Sequence, residues 1–399
     1  MLASAPLPLL VRGKVVQPDG GAKDRWLLLR EGRVESVSRQ RPPMTEHLVV
    51  LDTGSEDWIF PGLIDLDPAL GHHLLPPFEP TPGKSAYGRR SEWLADETYG
   101  RQARDLAAAC DAWQRALGRR ALAVFAELRA IAGGTAVLPG PASSEAGEQS
   151  SIVLGRDATS AVEMGLEGTA LPAFDVFESK DGAGEPVPRK EAIDRYVQLR
   201  DGGALRAAFA RAADGRAGFA HADGVDLSTR REFEALMAHP AFADADAVRR
   251  SRLSILGGGG VDTRNRRHLD FLRERGIAVV WSPTSDLSLY GDTLDVESLL
   301  RSGVTVALRS AGASGSKHVW AEAKLARKWL HAIDALVADE QIVRMATVDA
   351  ASCLGVDHAS SLAPGDLADL FIVRSPLATD NPFEAFFAAA DRDVRATIV

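Results

Sequence analysis

Few side chains in this chain have the type and spacing for chemistry, and the first set is incomplete. The strand-like run Trp58-Ile59-Phe60 leads into Pro61-Gly62-Leu63-Ile64-Asp65-Leu66-Asp67-Pro68-Ala69. Residues i and i+2 of a strand face the same way, so Asp67 and Ala69 share a side. Two imidazoles at that spacing would grip one cation; a carboxylate beside a methyl group does not. His221 ends the short strand Gly218-Phe219-Ala220-His221 and is followed by Asp223. It is a candidate acid/base, and a carboxylate such as Asp67 beside it would favour its charged form. Lys317 and His318 stand together in a later loop, as candidate ligand contacts or, for Lys317, a nucleophile. His72-His73 is either a replacement ligand pair or a solvated loop pair. Gly257 to Gly260 resembles a phosphate cradle only superficially, because the Lys-Ser/Thr of a P-loop is absent.

These residues need elements to hold them. Leu9 to Val16, Trp26 to Ser38 and Val49 to Leu51 read as short strands, and Ala368 to Val373 and Val394 to Val399 read likewise at the other end. A small β-sandwich built from both termini, residues 1–58 and 361–399, would enclose residues 59–360. That middle alternates strands with helices: a long helix Arg101 to Ile131, then strands at Thr135 to Leu138, Gly218 to His221, Leu253 to Leu256, Ile277 to Trp281 and Val304 to Leu308. A helix is expected over Arg230 to Met237. Pro139 to Ser150 and Ser179 to Pro188 read as surface loops. About 300 residues of such alternation suit an α/β fold of the (β/α)8 TIM-like barrel type, whose active site lies at the C-terminal strand ends.

Composition narrows the function classes. The net charge of −9 leaves no basic excess for phosphates, so no nucleic-acid partner is expected. Two cysteines, Cys110 and Cys353, exclude a disulfide framework and fit a reducing compartment, so a cytoplasmic location is expected. Met1 to Val11 lacks a basic region and a long apolar core, so no signal peptide is expected. No apolar run approaches the ~20 residues of a membrane span.

Seven blocks in order resemble the amidohydrolase superfamily, in its deaminase- and chlorohydrolase-like branch. They are Pro61 to Asp65; Ala126-Glu127-Leu128 with Gly133-Gly134-Thr135; His221 to Gly224; Trp281-Ser282-Pro283-Thr284-Ser285-Asp286-Leu287-Ser288-Leu289-Tyr290-Gly291; Ser314 to Lys317 with Glu322 and Lys324; Met345 to Gly355; and Gly365 to Leu370. The resemblance implies a hydrolase of non-peptide C–N bonds by ancestry, with a catalytic metal. It also implies where ligands should stand. Histidines are expected at the positions of Asp67 and Ala69, at His221 and at Gly257, and an aspartate at Ser310 or Ala311. Of these only His221 is retained.

A four-ligand zinc site is worth roughly 10–16 kcal/mol, and one histidine supplies little of that. Without the ion, bound water keeps a pKa near ~15.7 rather than ~7. The expectation is therefore no metal and no other cofactor, with His221 a relic ligand. Three functions follow: a pseudoenzyme that binds a small molecule or protein at the barrel mouth; a metal-independent enzyme acting on a C–N bond through His221, Asp67 and Lys317; or a subunit that stabilises an active relative. Trp281, Ser285, Asp286, Tyr290, Asp223 and His318 are the candidate ligand contacts. Tyr87, Glu92, Trp93 and Trp281 are expected to be wall or core residues around the mouth. A homo- or hetero-oligomer is expected, because barrels of this family commonly pair.

Overall fold

The computed structural model describes residues 7–17, 21–43, 47–67, 75–80, 86–138 apart from 107, 111 and 113–120, the short stretches 156–157 and 162–164, and residues 216–355 and 361–399. Both ends of the chain enter one sheet. Its strands are β1 (Leu9–Val16), β2 (Ala22–Arg30), β3 (Arg33–Ser38), β4 (Val49–Asp52) and β5 (Asp57–Pro61), joined by β14 (Leu370–Arg374) and β15 (Val394–Ile398). The order is β15-β14-β5-β1-β2-β3, with β4 also on β1. The seven strands of this terminal unit are connected by one hydrogen-bonded path. β1 makes this possible by pairing β4 through Leu9 to Arg12 and β5 through Lys14 and Val15. Period-two alternation sorts its side chains. Val11, Val15, Leu27, Leu29 and Ile59 fill one cluster, while Leu10, Trp26 and Leu28 fill another.

Gly62 is the passage from this sheet to the inner strands. A Cβ there would lie 2.5 Å from the Ala136 Cβ and 3.0 Å from the Asp369 Cβ, so no side chain fits. Two parallel arcs follow. The three-stranded arc holds β6 (Leu63–Ile64), β7 (Thr135–Leu138) and β8 (Arg156–Asp157). The five-stranded arc holds β9 (Val162–Met164), β10 (Arg216–His221), β11 (Leu253–Gly257), β12 (Ala278–Trp281) and β13 (Val306–Leu308). The arcs meet at their ends. Ser310, just past β13, donates its N–H (3.0 Å) and hydroxyl (2.5 Å) to Asp65, just past β6.

Alternation also sets an inside and an outside. Ile64, Leu66, Ala136, Leu256, Ala278, Val280 and Ala307 pack together on the inner side. Leu253, Ile255, Val279, Trp281, Val306 and Leu308 pack outward in a larger core. The covering helices are α1 (Arg90–Leu94), α2 (Ala121–Ala132), α3 (Leu227–Ala238), α4 (Ala245–Ser251), α5 (Arg266–Arg275), α6 (Pro283–Tyr290), α7 (Val296–Arg301), α8 (Val319–Ala332), α9 (Asp339–Met345), α10 (Val348–Leu354) and α11 (Pro382–Ala388). Side-chain caps mark several starts: Asp226 accepts from the Thr229 N–H, and Asn265 from the Arg267 N–H. Gly276 ends α5 in the left-handed region.

Most expected inner strands stand within two residues of their expected bounds. The helix expected at Arg230 begins earlier, at Leu227, because Asp226 caps it. The helix expected over Arg101 to Ile131 is only partly described. Gly100–Arg104 forms a π turn and α2 covers the end. The loops expected at Pro139 to Ser150 and Ser179 to Pro188 lie outside the described residues. Among the described residues no helix is long and apolar enough to cross a membrane.

Candidate functional site

The C-terminal ends of β6 and β10 to β13 bring the candidate residues toward one face. Asp65 is buried there and accepts from the N–H of Asp67 (3.0 Å) as well as from Ser310. Asp67 is itself buried. Pro68, Ala69, His72 and His73 lie outside the described residues, so neither the Ala69 position nor a replacement His72-His73 pair is described.

His221 is buried at the end of β10, and its ring faces α3. Nδ1 lies 3.2 Å from a carboxylate oxygen of Glu232, and Nε2 lies 3.2 Å from the Glu232 carbonyl. Both partners are acceptors, so both contacts are hydrogen bonds only when the ring carries both protons. Gly257 is the cross-strand partner of His221. It has φ 97°, and a Cβ there would lie 2.9 Å from the Cβ and Cγ of Asp223. A histidine at this position would need both a rarely adopted backbone and a displaced Asp223. Ser310 hydrogen-bonds to Asp65, and Ala311 adopts φ 59°. Among the described residues, no group of three or more His, Cys, Asp or Glu could hold a metal ion. Of the five ligand positions that the sequence resemblance implies, the described ones, Asp67, His221, Gly257 and Ser310 or Ala311, do not fit such a centre.

The polar network runs instead across α6. Trp93 Nε1 donates to the Tyr290 hydroxyl (2.9 Å), which donates to Asp223 (2.9 Å). Trp281 Nε1 donates to Thr293 Oγ1 (2.6 Å), and that hydroxyl donates to Asp286 (2.8 Å). Burial pushes the Asp286 carboxyl up to about 8, and the charge of Asp223 adds to the shift. Burial and Asp223 likewise raise Tyr290 well above the usual phenol range. Ser285 shares a hydrogen bond with Ser314 (2.9 Å). Tyr87, Trp93, Tyr99, Phe78 and Tyr290 belong to one aromatic cluster over this side. Tyr87 and Trp93 are buried in this cluster, while Trp281 faces the outer core.

Lys317 and His318 lie elsewhere. Lys317 pairs with Asp391, and His318 Nε2 lies 3.5 Å from the same carboxylate. Neither bonds to His221 or Asp67. His318 caps α8 by accepting from the Ala321 N–H (3.2 Å). Its ring lies so close to Gly133 that no Cβ fits between them. Burial holds its pKa down at about 4.

Asp65, Glu232, Ser282, Arg309 and Glu322 were not among the sequence candidates. Glu322 is fully buried and accepts from the N–H of Thr284 (3.0 Å) and Ser316 (2.8 Å). Burial raises it to about 7. A charged residue placed just after a strand is a signal for Arg309. Glu232 carries no such signal, because only the helix–strand packing brings it to His221.

Residues 231–399 match the amidohydrolase family. The 5'-deoxyadenosine deaminase of Methanosarcina mazei is 34% identical over 143 residues, which are 33% of this chain and 32% of the deaminase. The 5-methylthioadenosine/S-adenosylhomocysteine deaminase of Caldicellulosiruptor saccharolyticus is 29% identical over 112 residues, 27% of this chain and 26% of that protein. The chain thus matches about a third or less of the length of these curated relatives. Solved amidohydrolase-type enzymes share the fold along nearly all of it. Guanine deaminase from C. acetobutylicum, with bound guanine, aligns with TM-score 0.61 and 14% identity over 98% of each chain. Atrazine chlorohydrolase from Arthrobacter aurescens, complexed with zinc, aligns with TM-score 0.59 and 14% identity over 98% of this chain and 94% of that one. At such identity these structures show the fold alone. Together the family match and the deaminase relatives support the amidohydrolase superfamily for this mixed α/β chain. The amidohydrolase match begins after His221 and does not reach Asp65 or Asp67.

Proposed function

We propose that this chain is an amidohydrolase-like body that binds a small molecule at its strand ends and no longer performs metal-hydroxide hydrolysis. The two strand arcs are read as one closed (β/α)8 barrel, residues 59–360, with the terminal sheet as a second unit. The observation that carries the reading is Gly257. Its left-handed backbone and the Asp223 side chain against it oppose any ligand at that strand end. Ser310 adds to it by hydrogen-bonding to Asp65, where a free carboxylate would otherwise face the mouth. His221 adds to it through Glu232, which engages both ring nitrogens.

The test is elemental analysis of the purified chain, followed by zinc add-back and an assay of ammonia release. The relatives' names supply the probes, 5'-deoxyadenosine and 5-methylthioadenosine. The expected result is substoichiometric metal and no release above the uncatalysed rate, with or without zinc. One equivalent of a transition metal accompanied by turnover would end the proposal.

A further inference from the structure

Two polar side chains at the inner strand ends have no partner. Ser282 continues β12 in extended backbone, φ −129° and ψ 92°. Ala278 and Val280 of that strand pack inside, so the same alternation points Ser282 inward. It is 2% exposed, and its hydroxyl makes no hydrogen bond among the described residues. Arg309 continues β13 beyond Leu308, and Ala307 of that strand packs inside. Alternation therefore sends Arg309 to the same side. Its Nε is buried without a hydrogen-bond partner among the described residues, and its charge acts on the nearby Asp286 carboxyl.

The two positions are neighbours. Trp281 pairs with Leu308 in the parallel register, and the Arg309 N–H donates to the Trp281 carbonyl at 3.0 Å. Ser282 and Arg309 are the next residues on these strands, and adjacent strands lie roughly 4.8 Å apart. Arg309 is half-buried, and a buried N–H such as its Nε is costly to leave without an acceptor, so nearly every such group in a folded protein has a partner. A hydroxyl beside it adds one donor to the planar fork, which matches a carboxylate.

We infer that Arg309 and Ser282 form a site for the carboxylate of a small-molecule ligand at the barrel mouth. Local charge selects a monoanion. Asp223 lies on the same side of the fold and its charge acts on Asp286, which burial keeps mostly uncharged at neutral pH. Asp286 is engaged by Thr293; Arg309 acts on its charge, but no ion pair joins the two, so the guanidinium keeps donors for a ligand. A phosphate dianion would add a second negative charge beside Asp223. Like charges at short range disfavour that arrangement. The inference rests on the proposed reading of the mouth as a binding site.

The test uses the full chain, with calorimetric titration of acetate and benzoate against their neutral isosteres acetamide and benzamide, and with inorganic phosphate as a further arm. The expected result is saturable binding of at least one carboxylate and none of its amide. Arg309→Met should weaken it at least tenfold and Ser282→Ala severalfold. Arg309→Lys, which keeps the charge and loses the fork, should fall between. Near-UV circular dichroism checks that each variant folds. If Arg309→Met does not fold, the Lys and Ser282→Ala variants decide alone. Unchanged carboxylate binding in the folded variants would overturn the inference. So would no carboxylate binding by the wild type, or a preference for phosphate. A metal-loaded, hydrolytically active chain would instead remove the reading of the mouth beneath it, so the two failures are distinguishable.

Discussion

Gly257 and Asp286 show how single residues set the character of the strand ends. Gly257 combines φ 97° with a contact that any Cβ would make on Asp223. Gly257→Ala is expected to destabilise the chain by about 1–3 kcal/mol in urea unfolding, through positive-φ strain and displacement of Asp223. Gly257→His should be worse and should gain no zinc. A stable, zinc-retaining Gly257→His protein would contradict this account of the strand end. Asp286 stands where the resembling motif has asparagine. Burial raises it to about 8, so at neutral pH it is held mostly protonated and uncharged, as an amide would be.

The sign of the resulting pH dependence is fixed. The folded carboxyl binds a proton between its unfolded value of 3.8 and about 8, where the unfolded chain has released it. Stability therefore falls as pH rises across that window. Asp286→Asn should raise Tm at pH 8.5 more than at pH 5. A gain of about 1–3 kcal/mol at the higher pH is expected, well below the full shift, because one unit corresponds to about 1.4 kcal/mol before relaxation. An equal change at both pH values would show that ionisation is not involved.

Among the elements, α8 is held at its start by two buried groups that act differently. His318 caps its first turn and packs on Gly133, which joins the helix to the entry of β7. Glu322 reaches out of the helix to the N–H groups of Thr284 in α6 and Ser316 in the preceding loop. One carboxylate thus ties three segments. Glu322→Ala leaves two N–H groups without that acceptor and is expected to cost about 2–4 kcal/mol. Glu322→Gln keeps an acceptor oxygen and should cost less. Chemical denaturation of both variants checks the order, and equal losses would mean that packing rather than hydrogen bonding sets the cost. This scale also sets the surroundings of Lys317 and His318. Their position in the chain follows β13, but the loop carries them to Asp391 near the C-terminal sheet.

Across the whole molecule, opposing ionisations shape the acid–base response. His318 has a folded value of about 4 against an ordinary 6.5, so its contribution is lost as pH falls from about 6.5 to 4. Asp286 and Glu322 have raised values, about 8 and about 7, and act in the opposite direction as pH rises. Above 6.5 only the two acids still titrate among these three. Lys324, lowered by burial to about 8, opposes them above that value, so Tm is expected to decline from pH 6.5 to 7.5 in scanning calorimetry, and a flat profile over that interval in the Asp286→Asn, Glu322→Gln double variant would assign the slope to them. A wild-type Tm that rises over that interval would contradict the assignment.

The sequence by itself determined the alternation of strands and helices, the meeting of both termini in one sheet, and which residues stand at the motif positions. These are local properties: periodicity, turn glycines and residue identity at motif positions. It showed Asp67, Ser310 and Gly257 standing where the resemblance implies ligands, but not what they touch. Only the tertiary structure decided that Asp65 is the carboxylate Ser310 bonds, that Glu232 meets His221, and that Asp223 crowds Gly257. The same holds for Arg309 and Ser282, which fall side by side because β12 and β13 share a register. The physical reason is that such contacts join residues far apart in the chain. No local period encodes them, and they exist only once packing has fixed which strand lies beside which.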